Sequence, residues 1–317
     1  MPEAGAGQIL VRVRAVSLNY RDLITAQNPG QRTPTIPLSD GAGEVVAIGA
    51  GVTRFAVGNR VAGTFFQRWE GGEITAADHD FAMGGSIDGM LAEYVVLAEN
   101  GAVPLPTHLS FEEGATLPCA GLTAWNALFE TGNVRAGETV LLLGTGGVSL
   151  FGVQFAKAQG ARVILTSSSD AKLERARREF GVDETINYRT RPDWEKLVWE
   201  LTGKVGVDHV LEVGGIGTLE KSLKSTRYAG TVSQIGVLTG FAGGINPTMI
   251  LVRSLRLQGI YVGSRQMFER MNRAIRQTGL RPVIDRVFAF AEAPEAYEYM
   301  RSGAHFGKIV VRVGEAG

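Results

Sequence analysis

The first strong pattern along the chain is a two-residue alternation. Residues 8–18, QILVRVRAVSL, put apolar side chains on one face and charged ones on the other, which predicts a half-buried strand. Residues 36–63 are rich in Val and Gly and read as short β segments between glycine turns, suited to an antiparallel sheet or small barrel. Residues 64–90 are polar, Gly-rich and aperiodic, so a long loop is expected there. Residues 91–97, LAEYVVL, predict a further strand. After Pro118 the period changes. Strand-like runs at 139–143, 162–166, 184–188, 207–213, 231–235 and 257–262 alternate with helix-like runs at 148–159, 171–180, 192–201 and 219–227. Gly160, Gly181 and Gly203 follow three of those helices, where a left-handed C-cap belongs. Such alternation with short connections predicts a parallel, doubly wound α/β sheet. The tail reads as helix 268–277, extended 282–290, helix 293–301 and strand 308–313, the last of these able to rejoin the first region.

Length and composition narrow the classes. A chain of 317 residues fits two domains. With 32 Lys and Arg against 32 Asp and Glu, it lacks the global positive field of a nucleic-acid binder. Cys119 stands alone, which excludes an intramolecular disulfide and a multi-cysteine zinc site and fits a reducing compartment. The first sixteen residues show no apolar core before a small-residue cleavage site, and no apolar run approaches a membrane span, so a soluble, cytoplasmic protein is expected. Gly is the excess: 42 residues, about 13 % against a usual 7 % or so, clustered rather than periodic, as where backbone turns tightly or approaches a ligand.

The strongest local motif is TVLLLGTGGVSLFGVQFAKAQGARVILTSSS at 139–169. A strand runs into a glycine turn that opens a helix, and a second strand ends about 20 residues later. This is the order of a dinucleotide fingerprint, in which a tight turn brings backbone N–H groups to a pyrophosphate at the helix N-terminus. Gly144 and Gly146 match it, Gly147 and Val148 lie in the same turn, and Ser149 departs from it at the third position. Where NAD sites usually carry a ribose-binding carboxylate, this chain has Thr166, Ser167 and Ser168, with Lys172 one helical turn on and Tyr188 ending the next strand. That set favours NADP(H) over NAD. Asp170 is the rival ribose acid, although its place before a helical run reads as an N-cap.

Together with SLNYRD (17–22), DGAGEVVAIGAGVTRFAVGNRV (40–61), LPCAGLTAWNAL (117–128), VDHVLEVGG (207–215) and HFGKIVV (305–311), the motif resembles the medium-chain dehydrogenase/reductase superfamily in its zinc-independent quinone-oxidoreductase-like, alcohol dehydrogenase-like branch. The resemblance covers nearly the whole chain. It implies a GroES-like, mostly-β catalytic domain at 1–112 and 267–317, a Rossmann domain at 113–266, and a cleft between them. It also implies a strand pair before about Ala4 that this chain lacks, leaving a sheet edge exposed.

Zinc-dependent relatives carry a Cys ligand where this chain has Asn19 and a His where it has Asp40, and their structural-zinc lobe has four cysteines that 64–90 lacks. Glu44 alone is not a site, and His79, His108, His209 and His305 show no ligand spacing, so no metal is expected. By resemblance Tyr20 becomes the candidate acid or electrophile, and Asn19 a substrate- or ribose-orienting residue. Arg21 and Asp22 read as a structural ion pair and Cys119 as helix packing. Thr123, Gly214, Gly215, Ile235, Gly236, Val237, Val262, Gly263, Ser264 and Lys308 resemble further cofactor contacts. The expected activity is NADPH-dependent hydride transfer to a quinone or enone. The alternatives are alcohol or aldehyde oxidoreduction, enoyl-thioester reduction with Arg265, Arg270 and Arg273 as a basic entry, and a non-catalytic RNA-binding role that the charge balance opposes. By resemblance too, the edge strand 255–263 would pair two copies into a homodimer.

Overall fold

The computed structural model describes residues 1–27 and 35–314. They divide into two compact units: residues 1–122 with 262–314, and residues 123–261.

In the first unit, β1 (Gln8–Ser17) keeps the alternation read in its sequence. Ile9, Val11, Val13 and Val16 are buried, and Arg12 and Arg14 both reach Glu44. Around it are β2 (Asp40–Ile48), β3 (Arg60–Gly63), β4 (Tyr94–Ala98), β5 (Ala102–Pro104), β12 (Ile284–Ala289) and β13 (Lys308–Arg312). Among the described residues the order is β12-β13-β1-β2-β3-β5, with β4 also on β1. The predicted return of the tail is thus real: β13 runs antiparallel to β1, Val310 opposite Ser17. Strand β1 ends at Ser17, within the predicted 8–18, and the rest of SLNYRD enters helix α1 (Tyr20–Gln27). The reason is local, since Asn19 and Asp22 cap that helix as described below. Short helices α2 (Ala76–His79) and α3 (Phe111–Gly114) each open on a reciprocal capping box, Thr75 with Asp78 and Ser110 with Glu113. Helix α4 (Leu122–Trp125) lies between two π turns, Leu117–Gly121 and Asn126–Glu130. Helices α10 (Arg265–Thr278) and α11 (Ala293–Arg301) complete the unit. Residues 113–122 and 262–266, read as part of the Rossmann domain, belong to this unit. Their contacts explain it: the Cys119 N–H bonds Asp40, and Arg265 N–H bonds Trp69 O.

In the second unit, β6 (Thr139–Leu143), β7 (Arg162–Ser167), β8 (Glu184–Asn187), β9 (Val207–Glu212), β10 (Thr226–Gln234) and β11 (Arg256–Gly259) form a parallel sheet. Its order among the described residues is β8-β7-β6-β9-β10-β11. Counted from β6, this is 3-2-1-4-5-6, the Rossmann order, whose direction reverses between β6 and β9. Helices α5 (Gly147–Gln159), α6 (Asp170–Phe180), α7 (Trp194–Leu201), α8 (Ile216–Ser225) and α9 (Thr248–Val252) connect the strands. Helix α5 lies close on the sheet at Gly152, where a Cβ would fall 2.3 Å from Leu142. The predicted edge strand is shorter than 255–263, because the chain leaves the sheet after Gly259, before Val262 takes a φ of 57°. Among the described residues, no helix is long and apolar enough to cross a membrane.

Candidate active site

The second unit has an open glycine turn at its switch point. Strand β6 ends at Leu143 and the chain turns at Gly144, φ 76°, into α5. Gly146 is the N-cap of α5 and provides no side-chain bond to its first N–H groups. A Cβ built on Gly144 or Gly146 meets nothing, so the space over this turn is open. Ser149, the departure from the glycine fingerprint, is buried and donates to Leu143 O at 2.6 Å. It thus closes the strand–helix junction with a hydrogen bond instead of close glycine packing. Gly147 and Val148 stand half-buried in the first turn of α5.

The neighbouring helix N-terminus is already filled. Buried Glu212, at the end of β9, accepts from Gly214 N–H at 2.7 Å, Gly215 N–H at 3.0 Å and Thr218 Oγ at 2.6 Å on one oxygen, and from Ser222 Oγ on the other. Gly214 and Gly215, read from sequence as cofactor contacts, therefore spend their N–H groups on the protein's own carboxylate. Packing is what demands glycine there, since a Cβ on Gly214 would lie 2.2 Å from Thr218 Oγ. Ile235 and Gly236 likewise donate their N–H groups to Glu212 O, and Val237 follows them in the same loop. Of the two helix N-termini flanking the switch point, only that of α5 is left for a ligand.

At the end of β7, Ser167 is buried, Ser168 half-buried and Tyr188 41 % exposed, with Tyr188 N–H on Ser167 O. The N-cap of α6 is Ser169, not Asp170 as read from sequence; Ser169 Oγ accepts from Lys172 N–H. Asp170 Oδ1 accepts from Asn187 Nδ2 at 2.8 Å. Thr123 is buried in α4.

The first unit holds a buried polar cluster built on the α1 turn. Asn19 precedes α1; its N–H donates to Asp22 Oδ2 at 2.7 Å, and its carbonyl accepts Asp22 N–H. This is the carboxylate half of a capping box. Lys308, brought in by β13 and only 3 % exposed, donates to Leu18 O and to Asn19 Oδ1, the latter at 2.6 Å. Fully buried Asp40 accepts from Ser39 Oγ at 2.7 Å and from Cys119 N–H at 3.0 Å. Asn19 Nδ2 and Asp22 Oδ1 are buried without a hydrogen-bond partner. Tyr20 stands beside this cluster at 43 % exposure, and among the described residues none bonds its hydroxyl.

Charge and burial oppose each other here. Burial pushes the Asp22 carboxyl up to about 7, against the pull of the Asn19 N–H, Arg21 and Lys308. Asp40 is also pushed up by burial, and Lys308 is its strongest counterweight, ahead of Ser39 and a weaker pull from the Asn19 amide. Lys308 is lowered by burial, with Asp40 holding it up most. Burial raises the Cys119 thiol further, and Asp40 adds to that. The thiol therefore stays protonated and unreactive.

Several sequence readings change. Arg21 and Asp22 form no ion pair; Arg21 donates to Met83 O at 2.7 Å and lies 4.7 Å over the Phe65 ring. Lys308, read as a cofactor contact, is committed inside the cluster. Ser264 caps α10, accepting from Met267 N–H, which accounts for its burial; Val262 and Gly263 precede it, buried as well. Asp40 and Cys119 were not paired by any spacing, because 79 residues separate them.

A family model described as "Alcohol dehydrogenase GroES-like domain" matches residues 5–107, and one described as "Zinc-binding dehydrogenase" matches residues 147–277. A zinc-type alcohol dehydrogenase-like protein of Schizosaccharomyces pombe is 44 % identical, over 97 % of this chain and 91 % of the relative. A quinone oxidoreductase of Pseudomonas aeruginosa is 33 % identical, over 98 % and 92 %. A crystal structure of an NAD-dependent alcohol dehydrogenase superposes with a TM-score of 0.89 at 34 % identity, covering 99 % of this chain and 94 % of the other.

The zinc that such names imply does not fit the residues present. The amide oxygen of Asn19 is already bound by the Lys308 ammonium, the Cys119 thiol is held protonated, and burial pushes both carboxyls of the cluster, Asp22 and Asp40, toward their neutral forms. Among the described residues, no three His, Cys, Asp or Glu side chains gather as a metal site. A nicotinamide dinucleotide, by contrast, suits the open glycine turn and uncapped N-terminus of α5. With two family models covering its two halves and a relative of 44 % identity along almost its full length, the chain belongs to the medium-chain dehydrogenase/reductase superfamily, among its alcohol dehydrogenase-like and quinone oxidoreductase-like oxidoreductases.

Proposed function

We propose that the chain is an NADPH-dependent reductase that transfers hydride to a conjugated acceptor, a quinone or an enone. One observation carries the cofactor reading: α5 opens without a side-chain cap under an open glycine turn, while the N-terminus of its neighbour α8 is filled by Glu212. Gly144, Gly146, Gly147 and Val148 would hold the pyrophosphate. Ser167, Ser168, Lys172 and Tyr188 would receive a 2′-phosphate, with Asp170 tied to Asn187. Thr123, Ile235, Gly236, Val237, Val262 and Gly263 remain candidates for the nicotinamide end. When bound, this cofactor supplies the hydride.

The protein's own contribution is to carry the acceptor's developing oxyanion and its proton. The exposed Tyr20 hydroxyl donates to the acceptor oxygen. An ammonium can only donate, so Lys308 fixes the Asn19 amide with its oxygen toward the ammonium and its buried Nδ2 toward Asp40, which makes Asn19 a positioning residue at the start of the helix that carries Tyr20. The names of the relatives favour a second reading, alcohol or aldehyde oxidoreduction on the same site.

Fluorescence titration tests the cofactor, and a quinone and enone screen tests the acceptor. NADPH is expected to bind at least about tenfold more tightly than NADH, a difference of about 1.4 kcal/mol. Lys172→Glu should reverse that order, and Tyr20→Phe should lower kcat roughly 10- to 100-fold with little change in cofactor affinity. A preference for NADH would transfer the ribose to Asp170. Turnover of alcohols but not of quinones or enones would establish the second reading.

We also propose a homodimer through β11. This strand is an edge of its sheet, and Leu251 and Val252, at 78 % and 59 % exposure, precede it on α9. Light scattering should give twice the chain mass. A monomer at micromolar concentration, or a dimer that Gln258→Pro leaves intact, would refute the pairing.

A further inference from the structure

Away from the candidate active site, the first unit carries a second polar constellation. Helix α10 turns Glu269, Asn272, Arg273 and Arg276 to one side by their three-, four- and seven-residue spacing. Together with Arg54 and Pro104 they line a cavity of about 230 Å³. Three guanidinium groups meet one carboxylate there. That carboxylate is already shared, since Glu269 Oε1 accepts from Arg54 at 2.8 Å and from Arg265 at 2.7 Å. Among the described residues, neither Arg273 nor Arg276 has an acidic partner. Burial first and then Arg265 hold Arg54 below the usual arginine range, although Glu269, Glu99 and Glu70 act the other way.

A second, independent observation points to a ligand. Asn272 is 2 % exposed, and its Nδ2 donates to Pro104 O at 3.0 Å. That bond fixes the amide orientation, because the carbonyl can accept only from nitrogen. Asn272 Oδ1 is left buried with no donor. A buried acceptor without a partner is costly, on the order of 1–3 kcal/mol. The cavity therefore asks for two things at once: negative charge for Arg273 and Arg276, and an O–H or N–H for Asn272. Its size is below the few hundred cubic ångströms typical of pockets for drug-sized ligands, so it takes a fragment or the end of a larger molecule.

We propose that this cavity binds a phosphate monoester carried on a hydroxyl-bearing sugar. The arginines hold the phosphate through paired N–H donors, and a sugar hydroxyl donates to Asn272 Oδ1. The same chemistry is offered by a free sugar phosphate and by the phosphorylated ribose at the end of a nucleotide carrier.

The test is calorimetric titration of the full chain carrying Gly146→Asp, which closes the turn of α5 to phosphates. Ribose 5-phosphate, adenosine 3′,5′-bisphosphate and inorganic phosphate are the probes. Ribose 5-phosphate is expected to bind more tightly than inorganic phosphate. Arg273→Gln with Arg276→Gln, both exposed and safe for folding, should weaken it at least about tenfold, whereas Arg178→Gln, an equal loss of charge on α6, should not. Tighter binding of the bisphosphate assigns the site to a nucleotide carrier, and equal binding to a free sugar phosphate. The proposal is overturned by no binding at millimolar ribose 5-phosphate, by inorganic phosphate binding as tightly, or by binding that survives the double substitution.

Discussion

Gly146→Asp is expected to lower NADPH affinity at least about a hundredfold while leaving the second unit as stable as before, or up to about 1 kcal/mol more so. The two halves of this result have separate causes. Gly146 has φ −81° and ψ −176°, extended backbone that any residue adopts, and a Cβ there meets nothing. Asp at an N-cap accepts from the first free N–H groups of the helix and suits its dipole, so α5 gains a cap it lacks. The same carboxylate lies where a pyrophosphate would sit. Two like charges about 4 Å apart near a surface repel by about 4 kcal/mol, and screening still leaves some two orders of magnitude in affinity. Gly146→Ala separates contact from charge, for it adds only a methyl group. Titration measures affinity, and hydrogen exchange of β6 and α5 measures stability. If Gly146→Asp binds NADPH normally, the cofactor does not lie on α5. If β6 and α5 lose protection, the turn is less open than its geometry indicates.

Lys308→Met is expected to cost the first unit about 3–5 kcal/mol at pH 8 and distinctly less at pH 5. The ammonium satisfies Leu18 O and Asn19 Oδ1 and is the principal counter-charge for Asp40. Met fills similar volume but leaves two buried acceptors unsatisfied, takes from Asp40 its principal cation and from Asp22 a smaller pull than that of Arg21, which stays. The pH dependence follows from the carboxyls. Asp22 already ionises near 7 in the folded protein against 3.8 ordinarily. A folded carboxyl with a raised pKa binds more protons than the unfolded chain, so its contribution is fully present below about pH 4 and falls as the pH rises toward 7. Without Lys308 both carboxyls move further up, and the penalty grows over the same range and beyond it. Hydrogen exchange of β1 and β13 reads the effect locally, which suits a chain of two units better than a global midpoint. Asp40→Asn in the Lys308→Met background should restore part of the loss. A penalty equal at pH 5 and pH 8 would mean that lost packing, rather than charge, dominates.

The local part of this structure was legible. Alternation placed β1, and the strand, glycine turn and helix around Gly144 placed the dinucleotide half, because both signals depend on near neighbours in sequence. The turn at Asn19 carries a further signal: Asn-x-x-Asp, in which Asp22 reads as architectural, is the pattern of a capped helix start, and it ends the strand at Ser17. Glu212 was legible in part too, as a carboxylate two residues before a glycine pair and a helix. Its effect was inverted, because an anion site that the chain fills for itself has the same glycines as one left for a ligand. What the sequence pattern does not hold is the meeting of Asn19, Asp40, Cys119 and Lys308. No period or spacing joins positions as many as 289 residues apart; only the pairing of β13 with β1 does so.

That pairing also sets a timetable for the nascent chain. Residues 123–261 form one uninterrupted unit and can fold as soon as they leave the ribosome. The first unit cannot close, because the lysine that holds Leu18 and Asn19 is made 290 residues after them. At about 5–20 residues per second this is a wait of roughly 15–60 s. Throughout it, the Ala15–Ser17 edge of β1 stays without the strand that pairs with it. The segment that carries the candidate chemistry is thus the last to be secured and the longest exposed, which makes the early chain a natural client for a holding chaperone.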